Sequence, residues 1–297
     1  MYIGHVSDCY LPRLGGIEWQ VHDLATRQRA AGHRVEVVTC VPGADSQRDV
    51  PTHRPAMRSR GEAIRYGRAR WGAQVAVSRG FDLLHVHAST FSPLAYLTVG
   101  SALRANVPTV VTQHSMLSTC ATPLHRLGTT LTGWGDQPVI WSAVSSVAAE
   151  RLAAILPPGA PVSVLPNGID RSQWFCALEP ALEARCAGLP VLGRVGTGLT
   201  DFITPGVDGL LARDDDELIR DLVTLTADPT LRRTIALHNR ACSPQISWQC
   251  VLESADRLYA TAVRRAGRPL DQINHPTGSD CAPRSDRTSG HLQQVAS

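Results

Sequence analysis

Over its first 165 residues the chain alternates short β-branched runs with helical stretches, and no other feature of the sequence constrains the fold as tightly. MYIGHVSD reads as a strand and CYLPRLGG as a glycine-rich loop. Ile17, Val21, Leu24 and Ala25 then recur at helical spacing, so a helix runs to Ala31 and stops at Gly32. RVEVVTCVP is the next strand. A strand, loop, helix and strand in that order open a Rossmann-like sheet with a right-handed crossover. After a mixed segment the pattern resumes with FDLLHVHA as a strand, a helix around Pro93 to Ala105, and VPTVVTQH as a strand. Pro138 to Ser146 adds a strand, Val147 to Leu156 a helix, and APVSVLPNG a closing strand and turn. The alternation predicts one complete doubly wound α/β domain over residues 1–165.

The remainder does not suffice for a second such domain. A chain of 297 residues has room for about two domains at roughly 150 residues each, yet residues 166–266 fall well short of that size. They contain LPVLGRVG and GLLAR as strands, a helix from Asp215 to Ala227, another after Asp228-Pro229, and a last amphipathic helix at about 247–265. Residues 267–297 are rich in Pro, Ser, Gly, Asp and Arg. With so few apolar residues they cannot offset their ordering entropy, and they read as a disordered tail.

A net charge of +3 and 5% aromatic residues argue against nucleic acid as a partner. All 29 basic residues are arginines, so chemistry that needs a lysine ammonium is excluded. Eight singly spaced cysteines, with no C-x-x-C pair, no signal peptide and no apolar run long enough to span a bilayer, suggest reduced thiols in a cytoplasmic protein. Between Arg54 and Arg79 lie seven arginines with Ile64, Tyr66 and Trp71 interleaved. Such a run suits either a solvated helix face or peripheral contact with an anionic membrane.

In ALEARCAGLPV, from Ala181 to Val191, a charged helical run turns at Gly188 and Pro190 into a strand and sets Glu183 near that turn. Together with PRLGGIE (Pro12 to Glu18) and VSVLPNGID (Val162 to Asp170), this stretch resembles the retaining glycosyltransferases of family 4. The resemblance extends to about residue 266. It implies the GT-B architecture, in which two Rossmann-like domains face each other across a cleft, with the acceptor mostly on the first and a nucleotide sugar mostly on the second. By resemblance, Gly15 and Gly16 let the backbone approach the donor diphosphate. Glycine at positive φ followed by a helix N-terminus is a reasonable anion cradle, although a tight strand-to-helix turn is the plainer alternative. His114 matches the family's sugar-pocket histidine, Glu183 the glutamate on the donor ribose, and Gly196 and Gly198 the nucleotide side of the cleft. The last helix, with Trp248, resembles the family's terminal helix, which crosses back onto the first domain.

The family pattern is also broken. The glutamate expected eight positions before Glu183 is replaced by Phe175, and Glu179 stands at the wrong spacing. The arginine and lysine pair that neutralises the departing diphosphate is absent, leaving Arg13 or Arg194 as partial substitutes. An internal deletion joining Trp174 to Phe175 would explain both losses, and the second Rossmann-like domain is therefore expected to be incomplete. His85 and His87 point to one face of a strand, but no further ligand follows at metal spacing, so no metal and no cofactor is expected. His33 reads as a local residue beside Gly32.

Two functions follow from the resemblance. One is transfer of a hexose, with retention, from a nucleotide diphosphate sugar to a lipid or glycan acceptor. The other is a catalytically inactive, truncated homologue that binds a partner or a membrane surface. A nicotinamide dehydrogenase is disfavoured because no G-x-G-x-x-G follows the first strand, and a nucleotide-sugar epimerase would need the same missing donor wall.

Overall fold

The computed structural model describes residues 1–43, 49–55, 62–117, 139–168, 180–242 and 246–267, with the side chains of 62–66 and 180 left aside. The first part of the chain runs β1 (Tyr2–Ser7), α1 (Gly16–Ala30), β2 (Arg34–Thr39), β3 (Thr52–His53), α2 (Glu62–Ser78), β4 (Leu83–Ala88), α3 (Pro93–Arg104), β5 (Thr109–Gln113), β6 (Val139–Ala143), α4 (Ser146–Ala153) and β7 (Val162–Val164). All seven strands join one parallel sheet in the order β3-β2-β1-β4-β5-β6-β7. Its central strands are buried on both faces, which is why they read as near-continuous apolar runs.

Each face has its own core. Val6, Val86, Val111 and Trp141 pack against Ala69, Ala73 and Ala76 of α2, Leu94 and Val99 of α3, and Leu152 of α4. On the other face Ile3, Leu83, Val110 and Ile140 meet Val21 and Leu24 of α1 and, from the far end of the chain, Val251, Ala255 and Tyr259 of α8 (Trp248–Arg265). Helix α8 thus covers β4, β5 and β6 beside α1. Trp248 anchors its start under Arg27, whose guanidinium lies 4.9 Å from the ring centre, and Gly168 is the residue that leaves room for the indole.

Between these parts lie α5 (Pro180–Cys186), β8 (Val191–Arg194), a 3-10 turn (Gly198–Asp201), β9 (Gly209–Ala212), α6 (Asp215–Ala227) and α7 (Pro229–Ala241). Among the described residues the second sheet has two parallel strands, β8 and β9. Arg185 of α5 holds this unit together from inside, donating to the Phe202 carbonyl at 2.6 Å and to Asp208 at 2.7 Å. Asn239 of α7 closes it by donating to the Leu189 and Asp208 carbonyls. Asp214 and Asp228 cap α6 and α7, accepting from Glu217 N–H and from Thr230 and Leu231 N–H.

Some expectations need amending. The mixed segment holds β3 and α2. Cys250 is disulfide-bonded, so the thiols are not all reduced, although Cys9, Cys40, Cys186 and Cys242 are free. Trp174, Phe175 and Glu179, at the inferred deletion, and the expected tail beyond residue 267 lie outside the described residues.

Candidate functional site

In open parallel sheets ligands collect outside the carboxyl ends of the strands. A cleft of about 230 Å³ opens there, lined by His114 after β5, Val144 and Ser145 after β6, and Asn167 after β7. Its opposite wall comes from the smaller unit, through Leu182 of α5 and the 3-10 turn from Gly198 to Asp201. The two walls are tied by Asp201, whose carboxylate accepts from the backbone N–H of Ser146 at 2.7 Å and from the Ser146 hydroxyl. That carboxylate lies on the N-terminus of α4, where the helix dipole favours negative charge. Gly198 permits the approach, since a Cβ there would come within 3.2 Å of Ser145 Cβ.

The cleft therefore brings together two of the residues singled out from the sequence, His114 and Gly198. The other four lie outside its lining. Glu183 sits half-buried in the first turn of α5, next to the lining residue Leu182. Gly196 follows β8 at φ +74°, a left-handed conformation that accounts for glycine without a ligand. Gly15 and Gly16 start α1, but Gly15 has φ −178°, extended backbone open to any residue, and Gly16 is not at positive φ either. Neither glycine thus adopts the positive φ expected for an anion cradle. The Glu18 carboxylate folds over Gly15, and a Cβ at position 15 would oblige that carboxylate to shift. Glu18 is buried and paired to Arg13 at 2.9 Å.

Arg194 is likewise paired, with Asp215 at 2.8 Å on the surface. In the arginine-rich segment, Arg54 donates to the Val41 and Leu11 carbonyls and Arg79 pairs with Glu36, while Arg70 and Trp71 are exposed on α2. Among the described residues no helix is long and apolar enough to cross a membrane.

Behind His114 lies a feature that sequence reading caught only in part. His85 and His87 share a face of β4, as alternation requires, and the register of β1 sets His5 beside them. The three rings offer nitrogens within 4.8 Å of one another, a spacing a metal could use. All six of their ring nitrogens are nevertheless engaged in hydrogen bonds with Gln28, Tyr259, Thr112, His114 or one another. Burial holds the imidazoles neutral. His5 and His114 are lowered to about 4, and His85 and His87 are pushed well below the ordinary value, with neighbouring rings adding to the desolvation. His33 is buried beside the N-terminal amine, 3.4 Å from it.

No curated protein sequence matches the chain. Among solved structures it is similar to HepE of Anabaena in complex with UDP and glucose, at 15% identity and a TM-score of 0.69, covering 88% of this chain and 100% of that one. It is also similar to a glycosyltransferase from Rickettsia africae (9% identity, TM-score 0.64, covering 89% and 99%). Sucrose-phosphate synthase from Thermosynechococcus elongatus is a further likeness (14% identity, TM-score 0.54, covering 89% and 99%). At these identities the likeness is one of fold, and the fold is GT-B-like. The family model described as Glycosyltransferase Family 4 matches residues 14–173, more than half of the chain, and the protein therefore belongs to Glycosyltransferase Family 4.

Proposed function

We propose that the chain transfers a hexose, with retention, from a nucleotide diphosphate sugar to a lipid or glycan acceptor, in the cleft between His114 and Gly198. The observation that carries this reading is the position of the cleft at the carboxyl ends of β5, β6 and β7, closed from the other side by the 3-10 turn. HepE, a structure of similar fold, binds UDP-glucose. In this reading Gly15, Gly16, Glu183, Gly196 and Gly198 serve the donor, His114 meets the transferred sugar, and the nucleotide sugar is a substrate with no metal assigned. Arg194 supplies positive charge to the leaving diphosphate, since an exposed pair such as Arg194–Asp215 is worth only about 0–1 kcal/mol and a phosphate can displace the carboxylate.

The second reading, a truncated homologue that binds without turnover, is favoured by the smaller unit. Helix α6 rests on β8 and β9 and leaves Ile219, Leu222 and Val223 at 60%, 54% and 59% exposure on one stripe, as an element would whose sheet is narrower than its apolar face. Isothermal titration of the full chain with UDP-glucose and other nucleotide sugars separates the two. The transferase reading expects saturable binding of at least one donor, weakened about tenfold in His114→Ala by loss of one hydrogen bond. Silence with every donor would leave the non-catalytic reading.

A further inference from the structure

The buried polar groups behind His114 form an unbranched file whose direction can be worked out from one end. Ser142 Oγ donates to the Val111 carbonyl at 3.1 Å, and a carbonyl can only accept. Assigning the single Ser142 proton to that carbonyl makes Ser142 the acceptor for Thr112 Oγ1 at 2.8 Å, and Thr112 then accepts from His85 Nε2 at 2.7 Å. A neutral imidazole has one N–H, so His85 Nδ1 accepts from the Tyr259 hydroxyl at 2.7 Å. The Tyr259 oxygen then accepts from the Gln28 amide at 2.8 Å, which turns the Gln28 oxygen towards His5 Nε2–H at 2.7 Å. The same logic passes on, with His5 Nδ1 accepting from His87 Nε2 and His87 Nδ1 accepting from His114 Nε2, each at 2.9 Å.

We propose that this one-way chain, anchored on the Val111 carbonyl, holds His114 as the Nε2–H tautomer and reserves its Nδ1 lone pair as an acceptor for a hydroxyl of the ligand in the cleft. Gln28, His5, His85, His87, Thr112 and Tyr259 are then positioning residues, acting on the ligand through His114. Tyr259 gives the last helix a part in the site although it does not line it. The last step, from lone pair to ligand hydroxyl, rests on the reading of the cleft as the sugar site. The tautomer itself does not. Burial keeps all four rings neutral, so each carries a single N–H.

The test is two-bond ¹H–¹⁵N correlation of the imidazoles in the full-length ¹⁵N-labelled protein at pH 7.5, with His114 assigned by its loss in His114→Asn. The wild type is expected to show His114 protonated on Nε2, with Nδ1 far downfield. Thr112→Val keeps the side-chain shape but removes the acceptor from His85 Nε2–H. A buried unpaired N–H is worse than a buried unpaired lone pair, so every bond from His85 to His114 should reverse and the His114 proton move to Nδ1, by about tenfold in population. Tyr259→Phe severs the chain and should leave His114 a mixture of tautomers. A wild-type His114 protonated on Nδ1 would overturn the proposal, as would a folded Thr112→Val protein that keeps Nε2–H. The wild-type spectrum decides the tautomer even if a variant fails to fold. An Nε2–H His114 in a protein that binds no nucleotide sugar would uphold the chain and remove the sugar-site reading, whereas an Nδ1–H His114 with normal donor binding would do the reverse.

Discussion

His5 has no solvent exposure, and burial lowers it from an ordinary value of 6.5 to about 4. The unfolded chain therefore takes up a proton on this ring at a higher pH than the native protein does. The stability it contributes is full above pH 6.5 and is lost as pH falls through about 4, on the order of 3 kcal/mol for this ring. His85, His87 and His114 are lowered as well and act in the same direction. Asp8 acts the other way, raised by burial to about 6 against two backbone hydrogen bonds, and offsets part of the loss. The net expectation is a lower urea midpoint at pH 4.5 than at pH 7.5, and an equal or higher midpoint at pH 4.5 would contradict this picture. Of this cluster, His85 and His87 were legible as neighbours because strand alternation is local. His5 and Tyr259 were not, since they reach His87 and His85 across 82 and 174 positions of chain.

Helix α3 shows how an element can borrow its terminus. Ser92 occupies the N-cap but makes no side-chain cap bond. Asp8 at the end of β1 accepts instead from the backbone N–H groups of Leu94 and Ala95 at 3.1 and 3.0 Å. Asp8→Ala should lower stability by about 1 kcal/mol in chemical denaturation, within the usual range for a lost cap, and Asp8→Asn by less because it retains an acceptor. No change in Asp8→Ala would mean that water replaces the carboxylate. Both ends of helix α6 and the start of α7 were legible to within a residue because Asp214, Asp228 and Pro229 punctuate them locally. Helix α2 was not. Its buried face is made of Ala69, Ala73 and Ala76, and Gly72 lets it approach Leu94 and Cys40, so its packing depends on smallness rather than on a strong apolar stripe.

The Asp201 carboxylate ties the two units of the molecule through Ser146. Asp201→Ala should loosen the smaller unit against α4, raising amide exchange about tenfold in residues 191–212 while leaving β1, β4 and β5 protected. Exchange that rises equally in the seven-stranded sheet would show the units to be a single cooperative block. The parallel α/β class, the order of elements outside the segment that holds β3 and α2, and most helix ends could be read along the chain, because apolar period, caps and glycine stops act between residues a few positions apart. The return of α8 to the first sheet had only a family resemblance to suggest it. The meeting of His114 with Gly198 across a cleft, and the direction in which protons are ordered behind it, depended on register and packing between segments far apart in the chain. Such contacts form only when loop closure has been overcome by burial, and they leave no local pattern in the sequence from which they could be read.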